Sequence, residues 1–417
     1  MSILIKQAVL NGRAKDVLIV KNKIEKIASK INQPADEVID GSNKAILPSF
    51  FNGHTHAAMN LLRGYADDMK LMDWLQNKIW PLEAKMTQED VYWGSKLACL
   101  EMIKSGTTFF NDMYWHFHGT AVAADEMGMR AVVAPALIDN FDDNKIKEVR
   151  NMAEKLHQES FKYSHRIKFS LGPHAIYTVS AENLKWVKNY ADKNELLIHT
   201  HLAETKNEVE QSLQNFGKRP VEYLNDLGVL GPSTIIAHAI WVNERELDIL
   251  AEKNVKIVHT PASNMKLCSG IMPLTKKFRK GINICLGTDG ASSNNNLDLT
   301  EEMKIASLLH KVSSEDPQLA EAQQMFDLAT SSAAQIFGLP AGKIAEGYLA
   351  DLILVNLNEV SLVPGYNLIS DMVYSANGSC VDTTICDGKL LMRNRQVDGE
   401  EEIISQARRV IKNLLKR

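Results

Sequence analysis

His54 and His56 stand two residues apart, directly after the apolar run 45–51. On an extended strand, residues i and i+2 share a face, so the two imidazoles project side by side from a strand end. That spacing suits one metal ion. The same letters also fit a strand with two surface histidines, so the pair has to be weighed with the rest of the chain. Ligand-type residues recur at the ends of later apolar runs: His174 after Pro173, His199 and His201 with Glu204 three residues on, His238, His259, and Asp289 in Gly287-Thr288-Asp289-Gly290. Imidazole and carboxylate are ligands that zinc takes while leaving a position for water, whose pKa the ion lowers to about 7. A carboxylate must then move protons. Glu204, where the chain leaves its strand, is placed to protonate an acceptor on a substrate. Each residue has an ordinary reading as well: His199 as a barrel-interior side chain held by hydrogen bonds, His259 as a strand cap, Asp289 as a helix N-cap, Glu204 as a first-turn glutamate. His116, His118, His157, His165 and His310 lie off the pattern and read as surface or packing residues.

Eight strand candidates position these residues: 46–56, 107–112, 130–138, 166–173, 195–202, 234–239, 255–260 and 282–288. Helical patterns separate most of them, as at 88–105 and 181–194. The alternation predicts an α/β fold, a (β/α)8 TIM barrel over 50–339, whose reactive groups come from the C-terminal ends of its strands. A doubly wound sheet would want a Gly-rich phosphate turn after an early strand, and neither G-x-G-x-x-G nor G-x-x-x-x-G-K-[ST] occurs. Both ends of the chain read as β structure, with hairpin signals at Asn11-Gly12 and Asp387-Gly388. Residues 1–49 and 340–417 are expected to form one small composite β-sandwich domain, closed by an amphipathic helix over 401–417.

Composition narrows the function. In 417 residues, 45% are hydrophobic and 24% charged, the balance of a globular protein. A net charge of −4 supplies no broad basic field for nucleic acid or an anionic membrane. The five cysteines are odd in number and show no C-x-x-C pair, which suits free thiols in a reducing compartment. The N-terminus lacks a signal-peptide core, and no apolar run is long enough for a membrane helix. A cytoplasmic, soluble protein with a small-molecule substrate is expected.

Taken together, His54-Thr55-His56, His201-Leu202-Ala203-Glu204, His238, Pro261-Ala262-Ser263-Asn264 and Gly287-Thr288-Asp289-Gly290 resemble the amidohydrolase superfamily, in its branch of nucleobase and nucleoside deaminases and triazine hydrolases. The likeness covers nearly the whole chain, including Gly342-Lys343-Ile344, Gly347 and Ala350-Asp351. Asp73-Trp74-Leu75, Ile79-Trp80-Pro81-Leu82-Glu83, Gly172-Pro173-His174 and Ala291-Ser292-Ser293-Asn294-Asn295 are similar to deaminases of 5′-methylthioadenosine and S-adenosylhomocysteine. The resemblance implies one divalent metal, zinc first and iron(II) or manganese(II) on the same ligands, held by His54, His56, His201 and Asp289. It implies that Glu83 takes the ribose hydroxyls, that His174 contacts the nucleoside and that Trp74 walls the 5′ arm. The implied reaction is hydrolytic deamination: metal-activated hydroxide attacks C6 of an adenosine-type nucleoside, Glu204 protonates N1, His238 polarises the water, and Asp289 takes its proton for the departing ammonia. Relatives are commonly oligomers, and a homo-oligomer stays open.

Some members grip the amino-acid carboxylate of S-adenosylhomocysteine with arginines after the third strand. Here the first arginine there is Arg150, with Lys145 and Lys147 as stand-ins. A lysine offers a point charge instead of a fork, so methylthioadenosine or adenosine fits at least as well. The alternatives are a guanine, oxopurine or triazine aminohydrolase with the same metal centre, which would have no diol for Glu83, and a non-catalytic barrel scaffold.

Overall fold

The computed structural model describes residues 2–417. Its strands in chain order are β1 (Ser2–Leu10), β2 (Arg13–Val20), β3 (Lys23–Ala28), β4 (Glu37–Asp40), β5 (Lys44–Pro48), β6 (Phe50–Thr55), β7 (Thr107–Tyr114), β8 (Arg130–Leu137), β9 (Ile167–Phe169), β10 (Gly172–Pro173), β11 (Ile198–Leu202), β12 (Thr234–His238), β13 (Lys256–His259), β14 (Asn283–Leu286), β15 (Leu352–Asn356), β16 (Val381–Cys386) and β17 (Lys389–Met392). Helices fill most intervals between the parallel strands. Thr87 opens the helix Gln88–Lys104 with a reciprocal capping box to Asp90, and Ser180 caps Ala181–Asn194 through the Asn183 N–H.

Two parallel sheets carry the middle of the chain. One runs β10-β8-β7-β6, with β9 also on β8, and the other runs β11-β12-β13-β14. Leu171 bridges in parallel to Ile198 at one seam. At the other, the Asp289 N–H donates to the His54 carbonyl at 3.0 Å. Phe51, Phe109, Val132, Ile235, Val258 and Cys285, from six of these strands, pack into one buried cluster. Two glycines permit the close approach near the second seam. A Cβ on Gly53 would lie 2.5 Å from Cys285 Sγ, and one on Gly287 would lie 2.7 Å from the His54 nitrogen.

The strand expected over 46–56 is two strands in different sheets. The apolar run divides at Pro48-Ser49: Lys44–Pro48 pairs antiparallel with β15, and Phe50–Thr55 pairs parallel with β7. Pro48 has no N–H to give a ladder, and the next donors change partner, Ser49 N–H to Asp351 O and Phe50 N–H to Gly106 O. The strand expected over 166–173 is likewise broken, into β9 and β10, at Ser170-Leu171.

The terminal strands form one sheet in the order β17-β16-β15-β5-β1-β2-β3, with β4 on β1. The β5–β15 register, from Lys44↔Asn356 to Pro48↔Leu352, joins the two ends of the chain. Buried Arg130 on β8 ties this sheet to the parallel strands. Its Nε meets Asp351 Oδ2 and its Nη2 meets Asp387 Oδ1, both at 2.7 Å. The last helix, Glu400–Leu414, lies against Gln88–Lys104, where Lys104 Nζ meets Glu400 at 2.6 Å and Ala407, Val410 and Leu414 are buried. No helix among the described residues is long and apolar enough to cross a membrane.

Candidate metal centre and substrate pocket

Four histidines present Nε2 to one point, because each Nδ1 is already engaged. His56 Nδ1 donates to Met113 O at 2.6 Å and His201 Nδ1 to His174 O at 2.8 Å. His54 Nδ1 pairs with His199 Nε2 at 2.8 Å, and Asn111 Nδ2 lies 3.2 Å from His199 Nδ1 and donates to Gly53 O. His238 Nδ1 meets Asn264 Oδ1 at 2.8 Å and Thr260 Oγ1 at 3.1 Å. Outer contacts of this kind fix tautomer and ring orientation in metal sites.

The inward atoms are close. Asp289 Oδ1 lies 3.4 Å from His54 Nε2 and 3.3 Å from His56 Nε2, and His201 Nε2 lies 3.3 Å from His56 Nε2. Ligand atoms of His54, His56 and Asp289 lie within 4.8 Å of one another, as do those of His54, His201 and His238. His54 Nε2 is buried and has no hydrogen-bond partner among the described residues. Burial lowers the His54 pKa to about 4 and holds His201 well below the usual histidine value. Both imidazoles are therefore neutral at pH 7, the form a metal requires. Burial works against the charge on Asp289, but His54, then His56 and His238, hold its carboxyl well below the usual aspartate value. Its Oδ2 accepts from Ser263 Oγ at 2.7 Å.

Glu204 stands beside this group. Its Oε1 accepts from Ser269 Oγ at 3.1 Å, and its Oε2 lies 3.9 Å from His238 Nε2. Burial raises the Glu204 pKa, His238 opposing it. For His238, burial works against protonation, but Glu204 and then Asp289 outweigh it and raise the pKa. The backbone here is strained: Ala203, His238, Ala239 and Asp289 all have φ between 46° and 71°. Lys277, fully buried, donates from Nζ to Ala239 O at 2.6 Å, and burial holds its amine well below the usual lysine value.

One pocket touches His56, His201, His238, Glu204 and Asp289, and also Trp74, Glu83 and His174. All the residues read from the sequence as ligands or substrate contacts are thus brought together, except Arg150 and, behind the others, buried His54. Glu83 Oε1 is buried without a hydrogen-bond partner. Burial raises the Glu83 pKa, with Tyr114 and Trp115 pulling the other way. Trp74 spends its indole N–H on Ala66 O. A second cavity of about 840 Å³ shares Trp80, Glu83, Tyr114, Trp115, Ala136 and Ile138 with the first.

The structure does not bring Arg150 to the site. It sits on the helix Asp143–Ser160, with Nε on Asn183 Oδ1, Nη2 on Glu182 Oε1 and its guanidinium over Trp186. Lys145 and Lys147, exposed on the same helix, line neither cavity. His259 does not join the metal group either: its Nε2 faces His310 Nε2 at 2.9 Å. His199 stands behind His54 as a buried, hydrogen-bonded residue. The sequence reading quoted Ser263 only within the Pro261-Ala262-Ser263-Asn264 motif, with no role, and missed Asn111, Ser269 and Glu208. Only Glu208 left a local signal, as the fourth residue of Thr205-Lys206-Asn207-Glu208, a capping-box pattern.

The amidohydrolase family model matches residues 45–391. The chain belongs to the amidohydrolase family. Over 399 residues it is 48% identical to a 5-methylthioadenosine/S-adenosylhomocysteine deaminase of Thermococcus sibiricus, covering 94% of each chain. It is 46% identical to a 5′-deoxyadenosine deaminase of Methanothermobacter thermautotrophicus, across 94% of this chain and 92% of that one. The crystal structure of a zinc-bound adenosine deaminase from Xanthomonas campestris superposes with a TM-score of 0.93 at 30% identity, across 100% of this chain and 98% of that one.

Proposed function

We propose that this amidohydrolase hydrolytically deaminates adenosine-type nucleosides, 5′-methylthioadenosine, 5′-deoxyadenosine and adenosine among them, to the inosine analogue and ammonia. One observation carries the reading: a single pocket holds the Glu204, His238 and Asp289 group together with Glu83, whose buried, partnerless Oε1 is an acceptor waiting for a donor. The cis-diol of a ribose offers two hydroxyl donors side by side, and a free base has no diol. Relatives at 46–48% identity that are named as deaminases of such nucleosides support it.

The residues fit a divalent cation. His54 Nε2 is orphaned, and neutral imidazoles with an ionised carboxylate converge beside it. His54, His56, His201 and Asp289 would hold the ion, zinc by analogy with the zinc-bound relative. When bound, such an ion supplies Lewis acidity and lowers the pKa of a coordinated water to about 7. The remaining work falls to the chain. Glu204, whose pKa burial raises, donates a proton to N1 of the purine, so negative charge does not build up on the ring as water adds at C6. It takes a proton back from the C6 hydroxyl as the carbonyl forms and ammonia leaves. His238, fixed by Asn264 and Thr260, holds that water by a hydrogen bond from Nε2. Asp289 accepts the water's proton at its carboxylate and passes it to the departing amino group. His174 faces the nucleoside, and Trp74 closes the wall beside its 5′ arm.

We read the second cavity, which adjoins the first at Trp80, Glu83 and Trp115, as room for the far end of that arm. No lysine or arginine lines it among the described residues, while Trp80, Trp115, Phe117 and Met152 do. An apolar 5′ group is therefore favoured over one bearing a carboxylate. We read the two parallel sheets as halves of one (β/α)8 barrel over residues 50–339, and the terminal strands as a composite β domain over 1–49 and 340–417. The shared buried cluster and the contacts at both seams support the barrel. Five free cysteines accord with a cytoplasmic setting.

The test is a panel of adenosine, 5′-deoxyadenosine, 5′-methylthioadenosine, S-adenosylhomocysteine and guanine, ranked by kcat/KM from the ultraviolet change on deamination. The nucleosides with apolar 5′ groups are expected to lead. A chelator should abolish their turnover and zinc should restore it. Turnover of guanine with none of the nucleosides would sink the proposal.

A further inference from the structure

Glu208 is a buried carboxylate that the proposed chemistry leaves unused. It occupies the third position of the helix Lys206–Phe216, whose N-cap Thr205 accepts from the Glu208 N–H at 3.1 Å. A glutamate at this position ordinarily turns back to the N–H of the N-cap residue itself. Glu208 reaches further. Its Oε1 accepts from the Ala203 N–H and its Oε2 from the Glu204 N–H, both at 2.8 Å. The two donors lie in a turn that Ala203 enters with φ 53°, a conformation an alanine holds only under constraint.

The same turn is tied to the one that carries His238. The Ala203 carbonyl accepts from the Ile240 and Trp241 N–H groups, each at 2.9 Å, and the Leu202 carbonyl accepts from Ala239 at 3.0 Å. Glu204 and His238 therefore sit on two strained turns that form one hydrogen-bonded unit, and the Glu208 carboxylate clamps its outer side.

We propose that Glu208 is a positioning residue: by holding the Ala203 and Glu204 N–H groups it aims the Glu204 carboxyl at Ser269 and His238. Burial raises the Glu208 pKa to about 7, with the Ala203 and Glu204 N–H groups pulling the other way. In its carboxylate form the side chain accepts both bonds at full strength. A glutamine would keep one acceptor and set its NH2 against the other donor. Misplacing a proton-transfer group by about 1 Å can cost about 100-fold in rate. The inference rests on the deaminase reading, in which Glu204 supplies a proton.

The experiment is a double-mutant cycle on the metal-loaded enzyme, with Glu204→Gln, Glu208→Gln and the pair. E208Q is expected to lower kcat by about 10- to 100-fold, with KM within about threefold and bound metal and Tm near those of the parent. Because Glu208 acts through Glu204, the pair should be no slower than E204Q alone. Multiplied losses in the pair, an E208Q within twofold of the parent kcat, or a loss of metal and Tm that tracks the loss of kcat would each overturn the inference. Should E208Q fail to fold, Glu208→Asp runs the same cycle with the charge retained and the reach shortened. A parent enzyme that leaves every nucleoside untouched, or an E204Q as fast as the parent, defeats the deaminase reading instead. In that event the crystal structure of E208Q still decides: Glu204 is expected to leave Ser269, and a Glu204 carboxyl in its present place overturns the clamp.

Discussion

At the scale of single residues, the site is a set of side chains whose second atoms are already spoken for. His56, His201 and His54 each commit Nδ1 to Met113, His174 and His199, which leaves Nε2 free for a common point. The inward atoms were legible in the sequence because histidine and aspartate at strand ends are few and chemically specific. Their supports were not. Asn111 and Ser269 are common residue types whose role exists only once distant strands meet. Arg150 shows the converse. Its type suggested a carboxylate grip, but Glu182, Asn183 and Trp186, all on or beside a later helix, claim its guanidinium. Glu83 carries the sharpest test at this scale. Changing Glu83→Gln replaces one acceptor oxygen with an NH2 set against a diol hydroxyl, a loss of about 1–3 kcal/mol. The kcat/KM for adenosine should fall by about 10- to 100-fold, while 2′,3′-dideoxyadenosine, already poor, should change little between parent and variant. An equal fall for both compounds would remove the diol contact.

At the scale of elements, boundaries were harder to read than identities. The helices Gln88–Lys104 and Ala181–Asn194 announce themselves by caps and periodicity. The run 45–51 did not reveal that Pro48 hands the chain from one sheet to another, since apolar residues suit either sheet and only the partners differ. The helix Leu299–Ser313 carries a second consequence. Its His310 faces His259 on β13, and burial, then Lys277, lowers the His310 pKa to about 4 from a usual 6.5. Between those values the unfolded chain binds a proton that the folded imidazole refuses. Stability present above pH 6.5 is therefore lost as the pH falls toward 4, by about 3 kcal/mol, with no further loss from this group below that. Urea unfolding at pH 7 and pH 4.5 should show that decline in the parent and a shallower one in His310→Asn. An identical slope in the variant would remove His310 from the account.

At the scale of the whole molecule, the terminal sheet and the parallel strands share an ionic clamp. Arg130 meets Asp351 and Asp387 with little solvent access to any of the three. Substituting Arg130→Met leaves buried Asp351 without its ion partner, while Asp387 keeps His165 and Arg166, and removing one partner of a buried pair costs about 3–5 kcal/mol. Denaturant unfolding should read that loss, while kcat of the folded fraction, measured well below its Tm, stays close to the parent's. A loss under about 1 kcal/mol would mean that the clamp contributes little. The β content of both termini was visible from turns and β-branched runs, but their joining was not, because pairing between residues 300 positions apart leaves no local trace.

That pairing bears on synthesis. Lys44–Pro48 leaves the ribosome early, yet its antiparallel partner Leu352–Asn356 follows only after the whole middle of the chain has been translated. Until then one edge of the apolar strand Lys-Ala-Ile-Leu-Pro stays open, the sort of edge that recruits other chains. A ribosome stalled before residue 350 would release a polypeptide with its metal ligands already made and that edge still uncovered.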